Sequence, residues 1–239
     1  MKNIKIQILL SLLIGAGVTA CSFGKHTFIK TAPPVIIDNH YTEVAETDSL
    51  IAPYKRALDK EMNEVIATAK VDFINERPSG NLGNLIADIL LEEESKSIDG
   101  SPVICLINFG GLRAPLNKGN ITLGDVYKLM PFDNQVVYVK MPGKTIYEIR
   151  DYLEKSGGEP TAGFLIEKNK IMDTLYNQWS EKDYWVITSD YLFNGGDKMY
   201  FFQKNIGSVQ TGKIFRDVLI DYIQKHPVLS DKPQQRITW

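Results

Sequence analysis

A run of five apolar residues, Val103, Ile104, Cys105, Leu106 and Ile107, breaks into Asn108-Phe109-Gly110-Gly111-Leu112 and delivers Arg113. The run is short and β-branched enough to predict a buried strand. Adjacent glycines at a strand end open backbone angles closed to other residues and let a bound group approach the main chain. Asn108 offers an amide fork and Arg113 a fixed cation, which suit carboxylate, phosphate or ribose hydroxyls. A strand and turn with a surface arginine fits these residues equally well. The rest of the chain favours a ligand loop.

The first residues point to a compartment. Lys2 and Lys5 flank the start of an apolar run over 6–16, too short to span a bilayer comfortably. It closes in Val18-Thr19-Ala20-Cys21, which resembles a bacterial lipoprotein signal with Cys21 lipidated as the new N-terminus. An ordinary secretory signal with a chance cysteine is the alternative. Acyl chains on Cys21 would hold the protein on the membrane of a bacterial cell envelope, at a periplasmic or cell-surface face. Residues 1–20 then form the signal peptide. Residues 21–47, with Pro33-Pro34 and few large apolar side chains, form a tether. A fold is expected over 48–239.

Of the whole chain 44% is hydrophobic, and its formal net charge is −2, so nothing electrostatic argues for nucleic acid. Cys105 has no partner once Cys21 is lipidated, which excludes a disulfide framework and leaves a buried core cysteine. The spacing of Leu50, Ile51, Tyr54, Leu58, Met62, Val65, Ile66 and Ala69 predicts a helix over 48–70 whose apolar stripe faces a partner surface. A second helix is expected around 85–91, a third over 123–130 capped by Thr122, and a fourth over 144–155 stopped by Gly157-Gly158. Alternation predicts a strand over 136–141, with short strands over 164–166, 172–176 and 184–188 and a last helix over 212–226. On this reading alone the chain is mixed α/β.

A second glycine pair lies in Asp190-Tyr191-Leu192-Phe193-Asn194-Gly195-Gly196-Asp197. Phe132 and Tyr191 stand in turn contexts where burial is not obligatory. Two aromatic faces with an Asn, an Arg and an Asp nearby suit a nucleoside, whose base stacks and whose ribose is hydrogen-bonded. The three histidines are His26, His40 and His226, and no His-x-x-x-His or cysteine pair occurs. Metal and Ser-His-Asp chemistry therefore have little to draw on. The residues describe a binding site without an evident reaction centre.

Four segments in order resemble the C-terminal domain of the 5'-nucleotidase/UDP-sugar hydrolase family. They are Asn81-Leu82-Gly83-Asn84, Asn108-Phe109-Gly110-Gly111-Leu112-Arg113, Met130-Pro131-Phe132 and Asn194-Gly195-Gly196-Asp197. The resemblance implies a two-sheet layered α/β/β/α domain preceded by a long interdomain helix. It implies that Asn108 and Arg113, with Gly110 and Gly111, hold ribose and phosphate, that Phe132 and Tyr191 sandwich the base, and that Asn194 and Asp197 belong to the ribose site. Arg77 stands nearest to a further family arginine, although Arg77-Pro78-Ser79-Gly80 departs from the usual pattern. Tyr191, where phenylalanine is common, adds a hydroxyl.

Family enzymes also carry a metallophosphoesterase domain with two divalent metals, and upstream of residue 48 only a tether and a lipobox are expected. The expectation is therefore a nucleotide-binding subunit that needs a separate metallophosphoesterase chain and holds no metal itself. A lipoprotein that captures nucleosides for uptake or sensing fits the same residues.

Overall fold

The computed structural model describes residues 45–98, 100–167, 170–173 and 182–239. In chain order these form α1 (Ala45–Met62), β1 (Val65–Ala69), α2 (Asn81–Glu94), β2 (Val103–Leu106), β3 (Gly119–Thr122) and α3 (Leu123–Leu129). Then come β4 (Gln135–Met141), α4 (Thr145–Ser156), β5 (Thr161–Ala162), β6 (Phe164–Glu167), β7 (Lys170–Asp173) and β8 (Tyr184–Ser189). The last elements are α5 (Asp190–Phe193), β9 (Gly207–Ile214), α6 (Phe215–Lys225), β10 (Val228–Leu229) and β11 (Ile237–Thr238). Thr122 caps α3 in a full capping box with Asp125, and Gly157, at φ +82°, ends α4 in the left-handed conformation.

The central sheet has the order β5-β2-β8-β4-β9, with β2 and β8 parallel and every other pair antiparallel. Successive side chains on a strand point to opposite faces, so the sheet carries two cores. One gathers Cys105, Val136, Tyr138 and Ile187 under Ile86 and Leu90 of α2 and Leu219 and Ile223 of α6. The other gathers Ile104, Leu106, Val137, Val139 and Val186 against Ile146, Ile149 and Leu153 of α4. A small sheet, β10-β1-β3, joins the first core through Ile66, Ile121 and Leu229. Another, β11-β6-β7, joins the second through Phe164, Ile166 and Ile237. The expected layered α/β class holds, with the described residues divided among three sheets.

Two expectations need correction. The helix expected over 48–70 ends at Met62, and 65–69 is strand β1. Asn63 closes the helix, since its amide N–H and its Nδ2 both donate to the Asp59 carbonyl. Val65, Ile66 and Ala69 happen to keep helical spacing, but pairing of β1 with β3 and β10 decides the matter. No residue of α1 is buried in this chain, and Leu50, Ile51, Tyr54 and Leu58 stay exposed. The last helix begins at Phe215 rather than Gly212, because Gly212, Lys213 and Ile214 complete β9 against β4. The strand expected over 172–176 is seen as β7; residues 174–176 lie outside the described residues.

This topology gathers three loops. β2 and β8 are parallel, so their carboxyl ends share an edge of the sheet, and antiparallel β4 starts there, with Val136 opposite Ser189. The segment after β2, the segment after β8 and the segment before β4 therefore converge. Carboxyl edges of this kind are where open α/β sheets place ligands.

Candidate functional site

Asn108 leaves β2 and starts a single 3-10 turn, Phe109–Gly111. The turn is tight at Gly111, where a Cβ would stand 2.7 Å from Asn108 Oδ1. The Arg113 amide donates to the Leu129 carbonyl at 2.8 Å, which fixes the backbone, while the side chain is exposed with Nη1 3.4 Å from the Gly110 carbonyl. Among the described residues no carboxylate forms an ion pair with Arg113. Behind the turn lies buried Glu159, accepting from the Phe109 amide at 2.6 Å and from Arg77 Nη2 at 2.9 Å. The Arg77 guanidinium also lies 4.7 Å from the centre of the Phe109 ring. Burial pushes the Glu159 carboxyl above its usual range, against the opposing pull of the Phe109 amide and of Arg77. Arg77 thus braces the loop from behind and does not line the cleft.

Phe132 follows the end of α3. Arg216 of α6, buried, donates Nη1 to the Met130 carbonyl at 3.0 Å, pairs with Asp133, and stacks 4.2 Å from the Tyr127 ring centre. A guanidinium fork can hold both sides of the Phe132 loop at once, which an ammonium cannot. Tyr191 sits in α5, which Ser189 caps through the Leu192 amide. One oxygen of Asp190, Oδ1, accepts from the Tyr191 amide at 2.8 Å and from the Gln135 amide at 3.0 Å. That carboxylate ties the element bearing Tyr191 to the strand that follows Phe132. Gly196 passes under the tyrosine, and a Cβ there would lie 2.5 Å from Tyr191 Cε1.

Asp197, at φ +50°, ends the second glycine loop. Its Oδ1 accepts from the Tyr191 hydroxyl at 2.8 Å, its Oδ2 from Asn108 Nδ2 at 2.6 Å, and its carbonyl from the Tyr152 hydroxyl at 2.9 Å. The Asp197 carboxylate raises the Tyr191 hydroxyl above its usual range by accepting a hydrogen bond from it, and Tyr152 is pushed up to about 12, chiefly by burial.

Asn108, Gly110, Gly111, Arg113, Phe132, Tyr191 and Asp197 line one cleft of about 360 Å³ together with Asn134, which sequence reasoning missed. That volume falls in the range of small-molecule sites, roughly 300–1,000 Å³. Phe132 is 49% exposed and Tyr191 45%, so neither ring is used up in the core. Asn194 does not join the cleft: its amide and Nδ2 both bond the Asp190 carbonyl and close α5. Asp190, Arg216, Glu159 and Tyr152 also escaped the sequence, since their roles depend on distant partners. A smaller cavity between α2 and α6, about 160 Å³, is lined by Asp88, Glu92, Tyr222 and His226, where the Tyr222 and His226 rings pack on each other with 4.4 Å between centres.

No group of three or more His, Cys, Asp or Glu among the described residues could hold a metal ion. These residues do not fit the metal pair implied by the family resemblance. No helix among them is long and apolar enough to cross a membrane. Cys21 and nearly all of the tether lie outside the described residues.

An α/β domain with an aromatic cleft at the carboxyl edge of its central sheet is the class that fold and site define. Residues 65–170 match the family described as "5'-nucleotidase, C-terminal domain". The chain is 27% identical over 242 aligned positions to a 5'-nucleotidase-related protein of Glossina morsitans morsitans, covering 86% of this chain and 43% of the relative. It is 27% identical over 210 positions to a 5'-nucleotidase of Vibrio parahaemolyticus, covering 80% and 36%. The crystal structure of a 5'-nucleotidase precursor from Thermus thermophilus superposes with a TM-score of 0.67 at 27% identity, covering 81% of this chain and 43% of that one. Residues 65–170 thus carry the 5'-nucleotidase C-terminal family pattern, and the fold is of that type. The chain spans less than half the length of each of these relatives.

Proposed function

We propose that this chain binds a nucleoside or nucleoside monophosphate with the base between Phe132 and Tyr191, the ribose against Asn108 and Asp197, and the phosphate towards Arg113. The observation that carries this reading is the pair of half-exposed rings in one cleft with an arginine free of any carboxylate partner among the described residues. Stacking supplies affinity without naming the base. In this reading the chain is the substrate-binding part of a 5'-nucleotidase, and metal ions held by a separate metallophosphoesterase chain carry out hydrolysis. The exposed stripe of Leu50, Tyr54 and Leu58 on α1 serves as the docking face. A lipid on Cys21 anchors the pair to a bacterial cell envelope.

Calorimetry with adenosine and AMP on the full chain tests the site. Phe132→Ala should cost roughly 1–3 kcal/mol of affinity for both ligands. Arg113→Ala should erase any preference for AMP over adenosine. If Phe132→Ala and Tyr191→Ala leave every affinity where it was, the binding reading is wrong. Phosphate release from AMP should need an added metallophosphoesterase, and brisk metal-dependent release by this chain alone would remove the division of labour. Loss of radiolabelled fatty acid from a Cys21→Ser variant would support the anchor; retention would count against it.

A further inference from the structure

The Asp197 carboxylate is held on both oxygens by donors of this chain. Tyr191 donates its hydroxyl to Oδ1 at 2.8 Å, and Asn108 donates Nδ2 to Oδ2 at 2.6 Å. The Tyr152 hydroxyl fastens the carbonyl of the same residue at 2.9 Å. The backbone there is left-handed, φ +50°, a conformation in which non-glycine residues are uncommon and which these bonds keep populated. A carboxylate oxygen has about two acceptor positions, so one acceptor position remains on each. Two O–H donors on adjacent carbons match that pair of acceptors, whereas an anionic group would meet repulsion.

A phenylalanine at position 191 would present the same stacking face, so the hydroxyl adds something that stacking does not use. We infer that the Tyr191 hydroxyl is a positioning group that fixes Asp197 to accept the 2',3'-diol of a ribose, making the chain selective for ribonucleosides over their deoxy counterparts. The inference rests on the nucleoside reading of the cleft given above. Because Asp197 accepts a hydrogen bond from it, the hydroxyl holds its proton and stays in its donating form into alkaline solution. A bond between a hydroxyl and an ionised carboxylate belongs to the stronger class of hydrogen bonds.

The test compares adenosine with 2',3'-dideoxyadenosine, and uridine with 2',3'-dideoxyuridine, by calorimetry on the full chain. The unaltered chain should prefer the ribonucleoside of a pair, and Tyr191→Phe should shrink that preference about three- to tenfold, the scale of one hydrogen bond. Asp197→Asn should remove most of the preference, and adding Tyr191→Phe to it should move the ratio no further, because the hydroxyl acts through the carboxylate. An unchanged ratio in Tyr191→Phe, or an equal fall with and without Asp197, overturns the inference. Binding with no ribose preference in the unaltered chain sinks this inference alone. Binding of none of the four ligands sinks the nucleoside reading and this inference with it.

Discussion

At Gly196 a methyl group would intrude to 2.5 Å of the Tyr191 ring, far inside van der Waals contact. Gly196→Ala should therefore push the ring off its seat and weaken adenosine binding about tenfold or more, while the melting temperature moves little because the ring is at the surface. Calorimetry beside a thermal melt separates the two effects. Tyr138 and Tyr152 both titrate near 12, raised first by burial and, for Tyr138, next by its bond to Glu94. Unfolded tyrosine ionises near 10, so the folded state binds more protons above that pH. The stabilisation is whole below about pH 10 and falls as pH rises towards 12, which urea unfolding monitored across that window should record. The cleft residues were legible at this scale because the two glycine-pair loops follow strands β2 and β8, and Phe132 stands in the short turn between α3 and β4. Arg77 and Asn194 read as similar but turn towards Glu159 and the Asp190 carbonyl. Glu159, Asp190 and Arg216 left no local signal, since their partners lie 50, 55 and 86 residues away.

Elements set the distance between the two rings. Arg216 carries the Phe132 loop from α6, and the Asp190 carboxylate carries α5 against the start of β4. Arg216→Met strips the Met130 carbonyl of its donor, which should cost about 1–3 kcal/mol in urea unfolding. Adenosine affinity should drop as well, and the drop should vanish when Phe132 is already alanine, because the arginine acts through that ring. Asp190→Ala leaves two backbone amides without an acceptor and should lower affinity in the same way, read by calorimetry. Most helices were legible from caps and spacing, Thr122 and Gly157 above all. β1 was misread because two β-branched residues and an alanine can follow a 3.6-residue rhythm over so short a span. β9 was missed because its exposed residues give an edge strand no hydrophobic alternation to detect.

For the whole molecule the last residues matter more than their composition promises. β10 pairs with β1 on one small sheet and β11 pairs with β6 on the other. Between them buried Arg236 donates to Asp88 and to the Thr161 carbonyl, both at 2.6 Å. Arg236→Ala takes away a buried charge and its bonds together and should cost about 3 kcal/mol of stability, measured by urea unfolding. The mixed α/β class was visible in the sequence, whereas the division into three sheets was not, because β5, β10 and β11 are two residues each and carry no period. One small sheet lies over each core, so the tail closes the protein on both faces of the central sheet. A polypeptide clipped or stalled before Val228 would bare two raw strand edges at once, one per face. Such a fragment would meet proteases and neighbouring chains as a doubly adhesive particle, not as a weaker version of the finished protein.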